Sequence, residues 1–123
     1  NMGLDQYAYA KKGDDKIDLM QWRKHANLQG FMEQLWEDKD RPVPDGIEVD
    51  DNPMGSFNCI PLSLTMGDIE ELEECVRDDK LPHTTGFFFG SSREEDKEDD
   101  ERFIELAKKY LLDGYEVYYD SWW

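Results

Sequence analysis

The side chains best suited to bind a ligand lie in the segment Trp22-Arg23-Lys24-His25. The segment stands where a predicted strand gives way to a predicted helix, and the backbone N–H groups of a helix start can bind an anion. Arginine suits two-pronged recognition of phosphate or carboxylate, and tryptophan suits stacking. The segment therefore predicts a pocket for a phosphate or nucleotide. The plainer alternative carries more weight: Arg23 and Lys24 pair with nearby acids while Trp22 packs in the core.

A second set of polar residues flanks the run Phe87-Phe88-Phe89. A short apolar run between glycines is typical of a strand buried on both faces, so this run is predicted to be a central strand. Thr85 precedes the run, and Ser91 and Ser92 follow it. Open sheets often bind ligands beyond the carboxyl ends of their strands. These three residues therefore complete the predicted ligand site.

Signatures of catalysis and metal binding are missing from the sequence. His25 and His83 are the two histidines that could act as a base, and no Gly-x-Ser-x-Gly elbow accompanies the serines. No histidine or cysteine pair has a zinc spacing. The acidic run Glu94–Glu101 lacks the spaced ligands and central glycine of a calcium loop. Phosphate-loop and dinucleotide fingerprints are also missing, so we predict no catalytic residue, no metal and no cofactor.

The charge of the chain restricts its partners. Its 123 residues, enough for one domain, include 30 acids and 14 bases, which give a net charge of −16. Residues 1–30 hold four acids and five bases, so the surplus of acids lies in residues 31–123. An anion site is therefore expected in the N-terminal third, and the remainder would repel nucleic acid and anionic membranes. No apolar run approaches the roughly 20 residues of a membrane helix.

Hydrophobic periodicity predicts a single α+β domain over residues 1–123, in the order ββα-βαβαβ. Alternation from Met2 to Trp22, interrupted by turn residues 12–15, predicts an antiparallel hairpin. The first predicted helix has Asn27 as its N-cap and buries Leu28, Phe31, Met32 and Leu35. Residues 37–56 form a long acidic loop rich in proline and glycine. Asn1 is interpreted as a tag remnant before a native start at Met2.

The second half is expected to add three strands and two helices. Residues 57–64 are predicted to form a strand, which Pro61 restricts to an edge or a bulge. Thr65 and Asp68 are predicted to form a capping box for the next helix. The phenylalanine run follows, then a helix with Phe103 and Ala107 on its buried face. A last strand begins at Tyr115 and ends in Trp122-Trp123. These lengths suit parallel pairing, which gives a mixed sheet of about five strands with three helices. Cys59 and Cys75 are predicted to be small buried residues rather than a disulfide. Cysteines without a disulfide are typical of a protein in a reducing cytoplasm.

Four short motifs are spread along nearly the whole chain. They are Met2-Gly3-Leu4-Asp5, Trp22-Arg23-Lys24, Leu81-Pro82 with Gly86-Phe87-Phe88-Phe89-Gly90-Ser91, and the C-terminal Ser121-Trp122. In these motifs the chain resembles a family of small proteins encoded by tailed bacteriophages. Relatives in that family carry a histidine later in the first helix than His25, so a role for the histidine does not transfer.

The resemblance implies a phage-encoded protein in the cytoplasm of the infected host cell, and it implies no reaction. With the acidity, it favours a binding module that acts on a host or phage protein. One version is that the acidic surface imitates the charge of nucleic acid and occupies a basic protein. Trp122 and Trp123 become a candidate interface if they are exposed. An enzyme or sensor for a small phosphorylated ligand and a minor virion component remain as alternatives, and the oligomeric state is left open.

Overall fold

The computed structural model describes residues 3–47, 56–85 and 91–123. Within these ranges the chain forms four strands and three helices. They are, in chain order, β1 (Asp5–Lys12), β2 (Asp15–Arg23), α1 (Ala26–Asp38), β3 (Leu62–Leu64), α2 (Met66–Arg77), α3 (Asp96–Leu112) and β4 (Glu116–Trp122). The predicted α+β class with an N-terminal hairpin and three helices is confirmed.

The four described strands make one sheet in the order β2-β1-β4-β3, and every neighbouring pair is antiparallel. The parallel pairing predicted for the second half is therefore wrong for β3 and β4. A parallel pair needs a crossover that returns the chain to the same end of the sheet. Here β3 and β4 are direct neighbours, and both α2 and α3 lie between them in sequence. The predicted central strand at 87–89 lies outside the described residues.

Strand β2 contains an irregularity that strict alternation misses. Ala8 pairs with Met20 and Tyr9 pairs with Asp18, so Leu19 is an extra residue in β2. A bulge of this kind shifts the alternation of a strand by one residue. As a result Leu19 and Trp22, three positions apart, are both buried in the core.

Helix α1 begins one residue before its predicted N-cap. His25 occupies the cap position without a side-chain hydrogen bond, and Asn27 lies inside the first turn, so the prediction of Asn27 as N-cap was wrong. The apolar face is confirmed: Leu28, Phe31 and Met32 are buried. Residues 39–47, the described start of the predicted long loop, contain turns but neither helix nor strand.

The segment that precedes β3 is less regular than predicted. β3 has three residues and occupies the edge of the sheet, the position that Pro61 favours. Cys59 lies in a turn with a φ of 62° and is exposed, so its predicted burial in a strand was wrong. Both described cysteines are free thiols. The capping box of α2 is present, with Thr65 and Asp68 bonding each other's backbone N–H groups.

The core lies between the helices and one face of the sheet. Aromatic rings run through it in contact: Trp22 meets Phe103 edge-on at 5.2 Å between ring centroids, and Phe57 stacks on Trp36 at 5.0 Å. Tyr119, fully buried on β4, lies 6.2 Å from both Trp22 and Phe57. Because offset and edge-on ring pairs are favourable beyond their buried area, this chain of rings joins β2, β4 and α1.

Gly30 allows the segment after α2 to pack against α1. A Cβ placed on Gly30 would lie 1.9 Å from Oγ1 of Thr84 and 3.0 Å from its Cβ. Helix propensity alone favours alanine by about 1 kcal/mol. We nevertheless expect Gly30→Ala to lower the free energy of unfolding by about 1–2 kcal/mol, because overpacking costs about 1–3 kcal/mol. Urea unfolding of Gly30→Ala with and without Thr84→Gly checks this: the second change should recover most of the loss.

Candidate functional site

A group of polar side chains is buried where β2 turns into α1. Lys24 takes a φ of 58° at this turn, and the next residue, His25, is 2 % exposed. Gln6 on β1 fixes the backbone of His25 from both sides, since its amide donates to the His25 carbonyl at 3.0 Å and accepts from the His25 N–H at 2.9 Å. The position of His25 is therefore set by β1 as well as by α1.

Both ring nitrogens of His25 have partners from distant parts of the chain. Nε2 lies 2.8 Å from Oδ2 of Asp100, and Nδ1 lies 2.6 Å from Oγ of Ser92. A second carboxylate, Asp96, lies 3.7 Å from Nδ1. Both aspartates are 2 % exposed and are presented by the first turns of α3. A serine, an imidazole and a carboxylate are thus joined in one hydrogen-bonded row.

Asp100 also accepts a hydrogen bond from the indole Nε1 of Trp22 at 3.0 Å. Burial raises the pKa of Asp100 above its ordinary value, and the hydrogen bonds from His25 and Trp22 offset part of this shift. The carboxylate is therefore costly to bury and is kept in place by two donors. An unpaired buried charge would be far more costly.

Asn27 attaches the segments on both sides of the phenylalanine run to α1. Its backbone N–H donates to Oγ of Ser92 at 2.9 Å, and its side-chain oxygen accepts from the backbone N–H of Thr84 at 3.0 Å. Ser92 thereby satisfies one of the N–H groups that the first turn of α1 leaves without an intrahelical acceptor. The hydroxyl of Ser92 is held from two sides, by Asn27 and by His25.

This row opens into a cavity of about 490 Å³. Its volume falls in the range of small-molecule sites, about 300–1,000 Å³. One part of the wall is apolar or weakly polar and consists of Cys75, Val76 and Leu81. The polar part consists of His25, Asn27, Ser92, Asp79, Arg93, Glu94, Asp96, Lys97 and Asp100. Four acids against two bases make the lining suited to a neutral or cationic ligand.

The structure brings together three of the seven residues predicted to bind a ligand. Trp22 and His25 both bond Asp100, and Ser92 bonds the other ring nitrogen of His25. The other four, Arg23, Lys24, Thr85 and Ser91, are exposed. Arg23 extends to the opposite face of the sheet and pairs with Asp5 at 3.4 Å.

Sequence reasoning missed Asp96, Asp100 and Gln6. The first two belong to the acidic run Glu94–Glu101, which has no calcium-loop pattern to mark them. One signal could have separated them: Asp96, Asp100, Phe103 and Ala107 follow one another at intervals of four, three and four residues, which places both acids on the buried face of the helix. No comparable signal marks Gln6.

The face of the sheet away from the helices is a second candidate surface. Residues paired across antiparallel strands share a face, and Asp5, Tyr7 and Tyr9 pair with Trp122, Asp120 and Tyr118. Four aromatic side chains therefore share this outer sheet face: Tyr7, Tyr9, Tyr118 and Trp122. Tyr7 is 37 % exposed and Trp122 is 49 % exposed.

Contacts within the outer sheet face hold two of its four rings in place. Tyr9 and Tyr118 stack at 5.4 Å, and Lys16 lies over the Tyr9 ring at 4.6 Å. Burial, with nearby Asp120, raises the pKa of Tyr9 to about 12. A hydrogen bond to Glu116 raises the pKa of Tyr118 to about 12. Both phenols are therefore protonated at neutral pH.

In ranges 3–47, 56–85 and 91–123, no three histidine, cysteine or acidic side chains converge closely enough to hold a metal ion. No helix in those ranges has the length and apolar character needed to cross a membrane.

Comparison of the chain with protein-family models, with curated proteins and with solved structures gives no match. The phage resemblance therefore depends on the four motifs in the sequence and stays a prediction.

Proposed function

We propose that this chain is a protein-interaction module whose docking surface is the outer sheet face. In the setting that the phage resemblance implies, it acts on a host or phage protein in the cytoplasm of the infected cell. The observation that carries the proposal is the alignment of Tyr7, Tyr9, Tyr118 and Trp122 across the two central strands. Tyrosine and tryptophan are enriched among the residues that dominate binding energy at protein interfaces.

Two of the four rings are held by neighbouring side chains before a partner binds. Tyr9 and Tyr118 are stacked, and each of the four rings is attached to a hydrogen-bonded strand. Ordering side chains on binding costs about 0.5–1.5 kcal/mol for each flexible group. A face whose rings are held by neighbours loses less free energy in this way, which favours its use for recognition.

Charge on the rest of the surface favours a basic partner. Helix α2 carries five acids and one base, and its exposed acids include Glu70, Glu71 and Glu74. The exposed Glu98, Glu101 and Glu105 of α3 add to this negative surface. A net charge of −16 attracts basic proteins over long range and steers their association. Capture of the partner should therefore weaken as ionic strength rises.

The test is quantitative binding with variants of the outer sheet face. A partner is first identified by crosslinking in infected-cell lysate at low salt, then purified for measurement of the dissociation constant. Replacing Trp122 or Tyr7 by serine should each weaken binding by at least about tenfold, as truncation of a central interface aromatic does. Both variants should melt close to the unmodified protein, because neither ring is in the core.

Leu112→Ser is the matched control. Leu112 is the most exposed large apolar residue of the described chain, at 81 %, and belongs to the last turn of α3 rather than to the sheet. It should leave the dissociation constant unchanged. Equal binding by the Trp122 and Tyr7 variants and the unmodified protein would contradict the docking surface. Equal loss in the Leu112 variant would point to general hydrophobic adhesion instead.

The cavity beside His25 supports a second candidate function, the binding of a small ligand. The predicted phosphorylated ligand fits its lining poorly, because the lining has more acids than bases and Arg23 lies on the other face of the sheet. A neutral or cationic ligand fits better. A ligand at 100 times its dissociation constant stabilises the fold by about 2.7 kcal/mol. A thermal-shift screen that includes nucleotides and small amines separates the two chemistries.

A further inference from the structure

We propose that Ser92 is a nucleophile, activated by His25 and Asp100, that hydrolyses small uncharged or cationic esters in the cavity. The proposal rests on the second candidate function, ligand binding beside His25, and is independent of the outer sheet face. Its basis is geometric. A nucleophile within hydrogen-bonding distance of a base, with the base oriented by a third group, is the arrangement that activates serine hydroxyls in unrelated folds.

The hydrogen bonds fix the direction of proton flow. An ionised Asp100 can only accept, so it takes the proton of His25 Nε2 at 2.8 Å. Nδ1 of the neutral ring is then an acceptor, and it receives the hydroxyl proton of Ser92 at 2.6 Å. The backbone N–H of Asn27 donates to the same Ser92 oxygen at 2.9 Å. The hydroxyl therefore points its proton at the base and retains a further lone pair for attack.

In the first half of the reaction, Ser92 Oγ forms a bond to the carbonyl carbon of the ester while its proton passes to His25 Nδ1. The carbon–alkoxy bond then breaks, and the leaving alcohol takes the proton from Nδ1. In the second half, water attacks the acyl carbon and gives a proton to Nδ1. Ser92 Oγ leaves, recovers that proton, and the free acid is released. Ester and water become acid and alcohol, with no oxidant or further reactant.

Residues around the row would stabilise the charges of this reaction and hold the ester. Asp96 lies 3.7 Å from Nδ1, where positive charge develops as the imidazole takes the proton. The side chain of Asn27 lines the cavity and belongs to the first turn of α1, whose backbone N–H groups favour negative charge. Cys75, Val76 and Leu81 provide an apolar wall for the acyl or alcohol group. The excess of acids in the lining selects against anionic esters.

The test uses p-nitrophenyl acetate as the ester and a fluorophosphonate as a covalent probe of the serine. The unmodified chain should release p-nitrophenol in a burst and carry the phosphonyl group on the peptide that contains Ser92. Ser92→Ala should abolish both signals. Ser91→Ala, a change at the exposed neighbouring serine, should abolish neither. Labelling at other residues only, or ester hydrolysis that survives Ser92→Ala, would overturn the proposal.

Asp100→Asn keeps the test decisive if Ser92→Ala does not fold. The asparagine oxygen can accept from Trp22, and its amide can donate to His25 Nε2, so the shape of the row is preserved. His25 must then carry its proton on Nδ1 and can no longer take the proton of Ser92. We expect kcat and the labelling rate to fall about 10²- to 10⁴-fold, with KM nearly unchanged. A folded Asp100→Asn variant with unreduced labelling contradicts the proposed role of His25 as a base.

Failure of the nucleophile and failure of the ligand site are distinguishable. Non-hydrolysable amide analogues of the esters that react should raise the melting temperature of Ser92→Ala as much as that of the unmodified chain. Stabilisation without burst or labelling would retain the ligand site and remove the catalytic proposal. Absence of stabilisation, burst and labelling with every ester and analogue would remove both.

Discussion

Replacing Asp100 by alanine is expected to lower the free energy of unfolding by about 2–4 kcal/mol. The change leaves two buried donors, Trp22 Nε1 and His25 Nε2, without their acceptor. Each unsatisfied buried polar group costs about 1–3 kcal/mol, and relief from burying the carboxylate offsets part of the sum. Urea unfolding at pH 7, followed by circular dichroism and by tryptophan fluorescence, gives the measurement.

Asparagine at the same position is the matched control for the alanine variant. In Asp100→Asn the asparagine oxygen accepts from Trp22 Nε1 and its amide donates to His25 Nε2 once His25 changes its tautomer. The stability of this variant should therefore stay within about 1 kcal/mol of the unmodified protein. If the alanine variant were as stable as the asparagine variant, the hydrogen bonds from Trp22 and His25 to Asp100 would contribute nothing to stability, which would contradict the prediction. The two variants thus separate the structural contribution of the row from its proposed chemistry.

The pH dependence of this pair follows from the raised pKa of Asp100. A carboxyl that binds its proton more tightly in the folded state contributes stability at low pH. That contribution is lost as pH rises from the ordinary value of 3.8 through the higher folded value. The stability of Asp100→Asn relative to the unmodified protein should therefore increase with pH across this interval.

Replacing Phe57 by alanine is expected to have the largest effect on stability, about 3–5 kcal/mol. The ring is 1 % exposed and is stacked between Trp36 on α1 and Tyr119 on β4. Its removal leaves a cavity that two stiff aromatic neighbours cannot readily fill. Chemical denaturation measures the loss.

Leu112→Ala provides the comparison for Phe57→Ala. At 81 % exposure, Leu112 should change stability by no more than about 0.5 kcal/mol. A loss below about 1 kcal/mol for Phe57→Ala would show that Trp36 and Tyr119 close over the gap, and would argue against a rigid row of rings.

Local chemistry made much of the fold predictable. The capping box at Thr65, the apolar stripe of α1 and the hairpin each depend on residues close together in sequence. Strand direction was not predictable in this way, because the order of β3 and β4 in the sheet depends on how α2 and α3 pack. The prediction for Cys59 was wrong for a related reason. Phe57 and Ile60 are buried on either side of a turn rather than along a strand, so their spacing does not follow the alternation of a strand.

The candidate site was predictable in part. Trp22 and His25 were marked by their residue types at a strand–helix junction, and Ser92 by its place after an apolar run. The acid that joins Trp22 to His25 was hidden, because Asp100 is one acid among seven between residues 94 and 101. Local sequence does not say which member of such a run is buried. The row forms through contacts between residues 75 positions apart.

The extra residue in β2 determines which side chains of this strand face the core and which lie on the outer sheet face. Between the hairpin turn and Leu19, odd-numbered residues face the core; beyond Leu19 even-numbered residues do, so Trp22 meets Asp100 while Arg23 joins the outer face. If every residue of β2, Leu19 included, paired in turn without the bulge, Trp22 and Arg23 would exchange faces at once. The tryptophan would then lie on the outer sheet face and the arginine would enter the core. The bulge at Leu19 thus keeps Trp22 on the core face and Arg23 on the outer sheet face.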